Sequence, residues 1–153
     1  MKIQTPSRLH ITLIDLNGSY GRIDGGIGLT LADPRFILEA VPADSGITLE
    51  FAKDCGGSAS EKQACIGKVT AAAEKAVVMY TPETGYHFTV HQLYPAHSGL
   101  GSGTQMSLAA AKLIAEYAGQ PPTSIELAAL VGRGGTSGIG AHAFDIGGFI
   151  VDD

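Results

Sequence analysis

Basic charge, long apolar stretches and cysteine are all scarce in this sequence, and each shortage removes a class of function. Ten Lys and Arg stand against fifteen Asp and Glu, a formal net charge of -5. Nothing therefore supplies the basic surface that favours nucleic acid, and no nucleic-acid partner is expected. No apolar run approaches the roughly 20 residues that cross a bilayer. The opening Met1-Lys2-Ile3-Gln4-Thr5-Pro6 also lacks the apolar core of a signal peptide. A soluble, cytoplasmic protein without a membrane partner is expected. The two cysteines, Cys55 and Cys65, form no CxxC and have no His-rich pattern beside them, which reads as ordinary thiols and not as a disulfide framework or a zinc site. With 153 residues, 44% hydrophobic and 16% charged, the chain can bury the core of one domain.

Glycine, by contrast, is abundant: 21 residues, gathered in positions 18–28, 99–103 and 132–148. Clusters between apolar segments mark turns or places where backbone approaches a ligand closely. The segments between them have clear periods. Residues 9–15, 27–31 and 36–41 are short apolar runs, the last two ended by Asp33-Pro34 and Pro42, and they read as strands. Residues 47–51 alternate Ile47, Leu49 and Phe51 with Thr48 and Glu50, as a half-buried strand does. Residues 60–79 are rich in Ala, Glu, Lys and Gln, predicting a helix capped by Ser58 or Ser60. A strand follows at 86–90, then an Ala-rich helix over 104–117 that stops at Gly119, a short helix from Ser124 and a last strand at 148–151. The pattern is α+β, a mixed sheet with helices on one face, without internal repeat or linker.

The segment Pro95-Ala96-His97-Ser98-Gly99-Leu100-Gly101-Ser102-Gly103-Thr104-Gln105 joins a predicted strand to a predicted helix. Glycines there let successive N–H groups turn toward one point, and the start of the following helix adds partial positive charge, which suits phosphate. Ser102 and Thr104 add hydroxyls for phosphate oxygens or Mg²⁺. The segment is neither a Walker A loop nor a dinucleotide fingerprint, since neither spacing fits. Its bland alternative is a flexible turn with a helix cap.

Pro-x-x-x-Gly-Leu-Gly-Ser, here Pro95 to Ser102, resembles the phosphate loop of the GHMP kinases. Pro6-Ser7-Arg8-Leu9-His10-Ile11 resembles their first motif, and Ser137-Gly138-Ile139 followed by Gly147-Gly148 resembles their Ser-Gly-x-Asp segment and downstream Gly-Gly. The resemblance covers nearly the whole chain. It implies that residues 1–153 form a GHMP kinase N-terminal domain that binds phosphate, with the family's C-terminal domain absent.

In many of these kinases the Asp of Ser-Gly-x-Asp takes the proton from the attacking alcohol, and here that position is Gly140, which cannot act as a base. The wording of residues 8–18, 21–28, 97–105 and 132–140, with Phe144 and Gly147-Gly148-Phe149, is similar to the beta-ribofuranosylaminobenzene 5'-phosphate synthase family. That resemblance implies coupling of 4-aminobenzoate, or a close analogue, to C1 of phosphoribosyl pyrophosphate, with loss of CO2 and pyrophosphate, in methanopterin biosynthesis. It implies Mg²⁺ as cofactor, held by Ser102 and Asp24. Asp24, His97 and Arg133 are the candidate catalytic residues. Arg8, His10, Arg22, Gly99, Leu100, Gly101, Ser102, Gly103, Thr104, Gln105 and Ser137 are the candidate substrate-binding residues. Asp15 is a weaker candidate beside Asp24. The expected partners are small-molecule substrates and either a second copy of the chain, as a homodimer, or the missing C-terminal domain. An ATP-dependent small-molecule kinase and a non-catalytic phosphate-binding or assembly fragment stand as alternatives.

Overall fold

A computed structural model describes residues 1–14, 17, 25–95, 99–133 and 138–152. Strand β1 (Lys2–Ile14) pairs antiparallel with β2 (Gly25–Ala43), which pairs antiparallel with β4 (Gly85–Gln92) through its second half and with β5 (Phe149–Asp152) through its first. Strand β3 (Ile47–Phe51) runs parallel to β4, with helix α1 (Ala59–Tyr80) connecting them. The sheet order is β1-β2-β4-β3, with β5 beside β2. Both pairing senses occur, so the sheet is mixed.

The runs expected as separate strands at 27–31 and 36–41 belong to the single 19-residue β2. Asp33-Pro34 does not end it because the ladder skips those positions: Thr5 faces Phe36, and the next paired residue, Ser7, faces Leu31. Residues 32–35 bulge out of the register, where a proline forfeits no ladder hydrogen bond. Arg35 closes the bulge, donating from Nε to the Ala32 carbonyl at 2.6 Å and from Nη1 to Gln4 Oε1 at 3.0 Å. Strand β1 likewise begins seven residues before the apolar run at Leu9 that signals it in the sequence.

One face of the sheet is buried. Phe36, Leu38 and Ala40 of β2 and Tyr86, Phe88 and Val90 of β4 pack with Cys65, Val69, Ala73 and Ala76 of α1 and with Leu108 and Ile114 of α2 (Ser102–Tyr117). Full burial of such side chains contributes about 1.5–3 kcal/mol for each large one, which makes this face the main source of cohesion. Helix α1 starts at a capping box: Ser58 Oγ accepts from the Glu61 N–H, while Glu61 Oε2 accepts from the Ser58 N–H at 2.7 Å. A second box starts α3 (Ser124–Leu130), with Thr123 as the cap and Glu126 as its partner. Helix α4 (Ile139–Asp145) rests on β2, its Ile139 seated where Gly26 and Gly28 offer no side chain. Both cysteines are buried free thiols, and burial pushes Cys65 up to about 12. Among the described residues no helix is long and apolar enough to cross a membrane.

Candidate functional site

The glycine loop delivers its chain into the N-terminus of α2. Gly99 and Gly101 both take the left-handed conformation, with φ of +77° and +72°, which L side chains rarely adopt. Gly101 is also the residue that precedes the helix, so the first N–H groups of α2 have no side-chain cap. Free N–H groups at the start of a 16-residue helix, together with its dipole, form a positive end suited to an anion.

Arg8 holds this loop from the side. Its main-chain N–H donates to the Leu100 carbonyl at 3.1 Å, and its Nη1 donates to the Gly101 carbonyl at 3.1 Å. A Cβ built on Gly101 would lie 1.8 Å from that Nη1, so glycine is required there by space as well as by φ. Arg8 Nε is buried and has no hydrogen-bond partner among the described residues. Desolvation, with Arg133 as a neighbouring like charge, lowers the Arg8 pKa, while Tyr94 acts in the opposite sense. Burial raises Tyr94 to about 12, and its hydroxyl donates to the Leu100 carbonyl at 3.4 Å, steadying the loop from below.

Arg8, His10, Gly99, Gly101, Ser102, Gly103 and Arg133 line one cleft of about 470 Å³, together with Ala64, Lys68 and Met106. These candidate residues come from β1, the loop, α2 and the segment after α3. No described carboxylate lines the cleft. Two larger hollows, of about 690 and 560 Å³, lie elsewhere and are lined by no Lys or Arg, whereas Glu126 borders one and Asp44, Glu74 and Glu83 border the other. Charge, not volume, distinguishes the loop cleft.

Thr104 and Gln105 turn away from it. Gln105 is fully buried and donates from Nε2 to the Gly140 carbonyl at 3.0 Å, tying α2 to α4. The Thr104 methyl lies beside Gly140. Leu100 contributes its carbonyl to Arg8 and packs its side chain against the core. Asp15, Arg22, Asp24, His97 and Ser137 lie outside the described residues. Lys68 is the cationic lining residue missing from the sequence-based candidates. Its only signal there is a position on the predicted helix 60–79, which does not reveal that α1 leans over the loop.

Gly140 sits buried in α4 with Arg8 against it. A Cβ at Gly140 would lie 2.9 Å from Thr104 Cγ2 and 3.2 Å from both Cζ and Nη2 of Arg8. The place that the superfamily motif gives to a carboxylate is thus bordered by a guanidinium and has no room for an added side chain without displacement.

The sheet, its helices and the glycine loop form an α+β domain, and the sequence model for the GHMP kinases N terminal domain matches residues 65–151. The chain belongs to that family. It is 51% identical over 150 residues to the beta-ribofuranosylphenol 5'-phosphate synthase of Methanothermobacter thermautotrophicus, covering 98% of this chain and 45% of that protein. It is 46% identical over 154 residues to the synthase of the same name from Methanocaldococcus jannaschii, covering 99% of this chain and 46% of that one. The chain therefore spans about half the length of the curated relatives it matches. Among solved structures, L. major mevalonate kinase in complex with R-mevalonate superimposes with a TM-score of 0.65 at 18% identity, over 99% of this chain and 48% of that one. At that identity the likeness concerns the fold.

Proposed function

We propose that this segment is the phosphate-binding half of a synthase that joins an aromatic acid to phosphoribosyl pyrophosphate. The observation that carries the reading is Gly140 beside Arg8: the position of the kinase base holds no carboxylate, and a cation borders it. An alcohol attacking ATP must lose a proton, for which a base within hydrogen-bond reach is valuable. An aromatic carbon that attacks ribose C1 loses a carboxylate. The new C–C1 bond forms as the C1–oxygen bond to diphosphate breaks, and the ring–carboxylate bond then releases its electron pair to the ring as CO2 departs. No strong base is needed at that carbon.

The chain's own residues suit the diphosphate end of this reaction. The α2 N–H groups donate hydrogen bonds to the departing oxygens, Arg8, Lys68 and Arg133 supply opposite charge, and the loop needs little reorganisation while charge develops. The relatives are named for a ribofuranosylphenol phosphate product, which supports an acceptor with a para hydroxyl, 4-hydroxybenzoate. A para amino group, as in 4-aminobenzoate, donates electrons to the same ring position. Product formation in methanopterin biosynthesis and a cytoplasmic location belong to the same proposal.

Mg²⁺ is usually held by one or two carboxylates together with substrate phosphates. Among the described lining residues only the Ser102 hydroxyl is a plausible protein ligand, and no described cluster of His, Cys, Asp or Glu could hold a metal. The donor set fits an ion that arrives on the diphosphate, where it would neutralise leaving-group charge, with Asp24 the remaining protein candidate.

Calorimetry on the chain with Mg²⁺ separates this reading from a kinase. Phosphoribosyl pyrophosphate is expected to bind and to be displaced by pyrophosphate, with ATP at least tenfold weaker. ATP binding that exceeds phosphoribosyl pyrophosphate binding would overturn the synthase reading.

A further inference from the structure

Beside the loop cleft lies a smaller cavity of about 100 Å³, lined by Lys68, Ala71, Ala72, Lys75, Ser107, Val131 and Arg133. Lys68 and Arg133 line both cavities, so the two form one furrow between α1 and α2. Lys68 and Lys75 are seven residues apart, two turns along the same face of α1 and about 10 Å along its axis. The alanines of α1 keep the furrow open between them. Arg133 is fixed at its backbone, where its N–H donates to the Ala128 carbonyl at 2.7 Å, and Lys75 Nζ lies 3.9 Å from where a Cβ on Gly132 would be.

Four of the chain's ten Lys and Arg, namely Arg8, Lys68, Lys75 and Arg133, border this furrow in a protein of net charge -5. None of them forms an ion pair with a described carboxylate, and no described Asp or Glu lines either cavity. The acidic residue of this stretch of α1, Glu74, borders a different hollow. Like charges gathered with no counter-charge among the described residues repel one another, and a bound anion relieves that repulsion.

We infer that Lys75 and Arg133 form a second anion subsite, which receives a phosphate monoester at the opposite end of the ligand whose diphosphate occupies the loop. A monoester carries close to two negative charges at neutral pH and accepts charge-assisted hydrogen bonds from both cations, whereas a ring carboxylate offers a single charge to share between them. Under the proposed function, on which this identification of the ligand rests, the group is the 5-phosphate of phosphoribosyl pyrophosphate. Lys68 and Arg133, common to both cavities, then border the ribose between its two anionic ends.

The test is calorimetry on the 153-residue chain at fixed ionic strength with three probes: pyrophosphate, ribose 5-phosphate and phosphoribosyl pyrophosphate. Lys75→Gln is expected to weaken ribose 5-phosphate and phosphoribosyl pyrophosphate about tenfold or more, the effect of one lost charge-assisted contact, and to leave pyrophosphate within about twofold. Lys62→Gln, the same charge change on the same helix but over the Phe51 ring, is expected to alter none of them. Equal weakening of all three probes by Lys75→Gln, an equal effect of Lys62→Gln, or no binding of ribose 5-phosphate would each overturn the subsite. Selective loss of ribose 5-phosphate without binding of phosphoribosyl pyrophosphate would keep the subsite and remove the synthase reading.

Discussion

Arg8 connects the loop, the cleft and the position without a base. Its Nη1 contact to the Gly101 carbonyl braces the loop, and its charge borders the cleft. Arg8→Gln is expected to weaken pyrophosphate binding at least tenfold by calorimetry, since it removes a charge-assisted partner and loosens the loop. Gly101→Val should abolish that binding, because any side chain there meets both a φ of +72° and the guanidinium. Pyrophosphate bound equally well after Gly101→Val would show that the loop is not the site. Gly140→Asp places a carboxylate against Arg8, and the expected result is weaker pyrophosphate binding with no gain of ATP-dependent phosphorylation of an alcohol. A gain of phosphorylation would mean that the domain is a kinase lacking only its base. These single-residue roles divide by what sequence can carry. Gly101 is legible, since a glycine run before an Ala-rich helix announces a tight approach. The inward turn of Gln105 and the bracing role of Arg8 depend on α4 and β1 meeting the loop from positions distant in the chain.

At the scale of elements, the boundaries that are local in origin are the ones the sequence states well. The helix expected at 60–79 is α1 (Ala59–Tyr80), capped by Ser58, one of the two serines that mark its start, and the helix expected at 104–117 ends at Tyr117 before Gly119 with φ +68°. Strand β2 is misread as two because the proline signal is local, whereas the bulge that accommodates it is formed with β1. Element α3 gives a pH-dependent prediction. Hydrogen bonds from the Thr123 backbone and then from its hydroxyl hold the Glu126 carboxyl below its usual pKa. A lowered folded-state pKa means that the stabilisation is present above the unfolded value and is lost as pH falls through the folded one. The part of the capping contribution that depends on the Glu126 carboxylate should therefore be lost progressively as pH falls below the ordinary glutamate range, while the bond from the Glu126 N–H to the Thr123 hydroxyl remains. Thr123→Ala should destabilise the chain by about 1 kcal/mol at neutral pH in urea unfolding, and the difference from the parent should shrink in acid. An undiminished difference at low pH would remove Glu126 from the cap. Gly28→Ala addresses α4: its Cβ would lie 2.4 Å from Ile139 Cγ2, and overpacking of that kind costs about 1–3 kcal/mol.

For the whole molecule, the outer side of the sheet carries an apolar surface. Leu9, Leu29 and Phe149 stand in one row across β1, β2 and β5, with Ile27 and Val151 paired in another. Leu9, Phe149 and Val151 are 41%, 66% and 58% exposed. Contiguous exposed apolar side chains favour association, so sedimentation of the chain should give a mass that rises with concentration, and Phe149→Glu should abolish the rise. A monomer at every concentration would contradict a self-associating surface. The central claim concerns chemistry and is best tested on a protein of the length of the curated relatives, made by joining residues 1–153 to the remainder of the Methanothermobacter thermautotrophicus relative. The measurement is release of ¹⁴C-labelled CO2 from carboxyl-labelled 4-hydroxybenzoate or 4-aminobenzoate in the presence of phosphoribosyl pyrophosphate. Release is expected to match pyrophosphate formed, one for one, and to disappear with Gly101→Val. ATP-dependent phosphorylation of an alcohol, with no labelled CO2 from either acid, would contradict it.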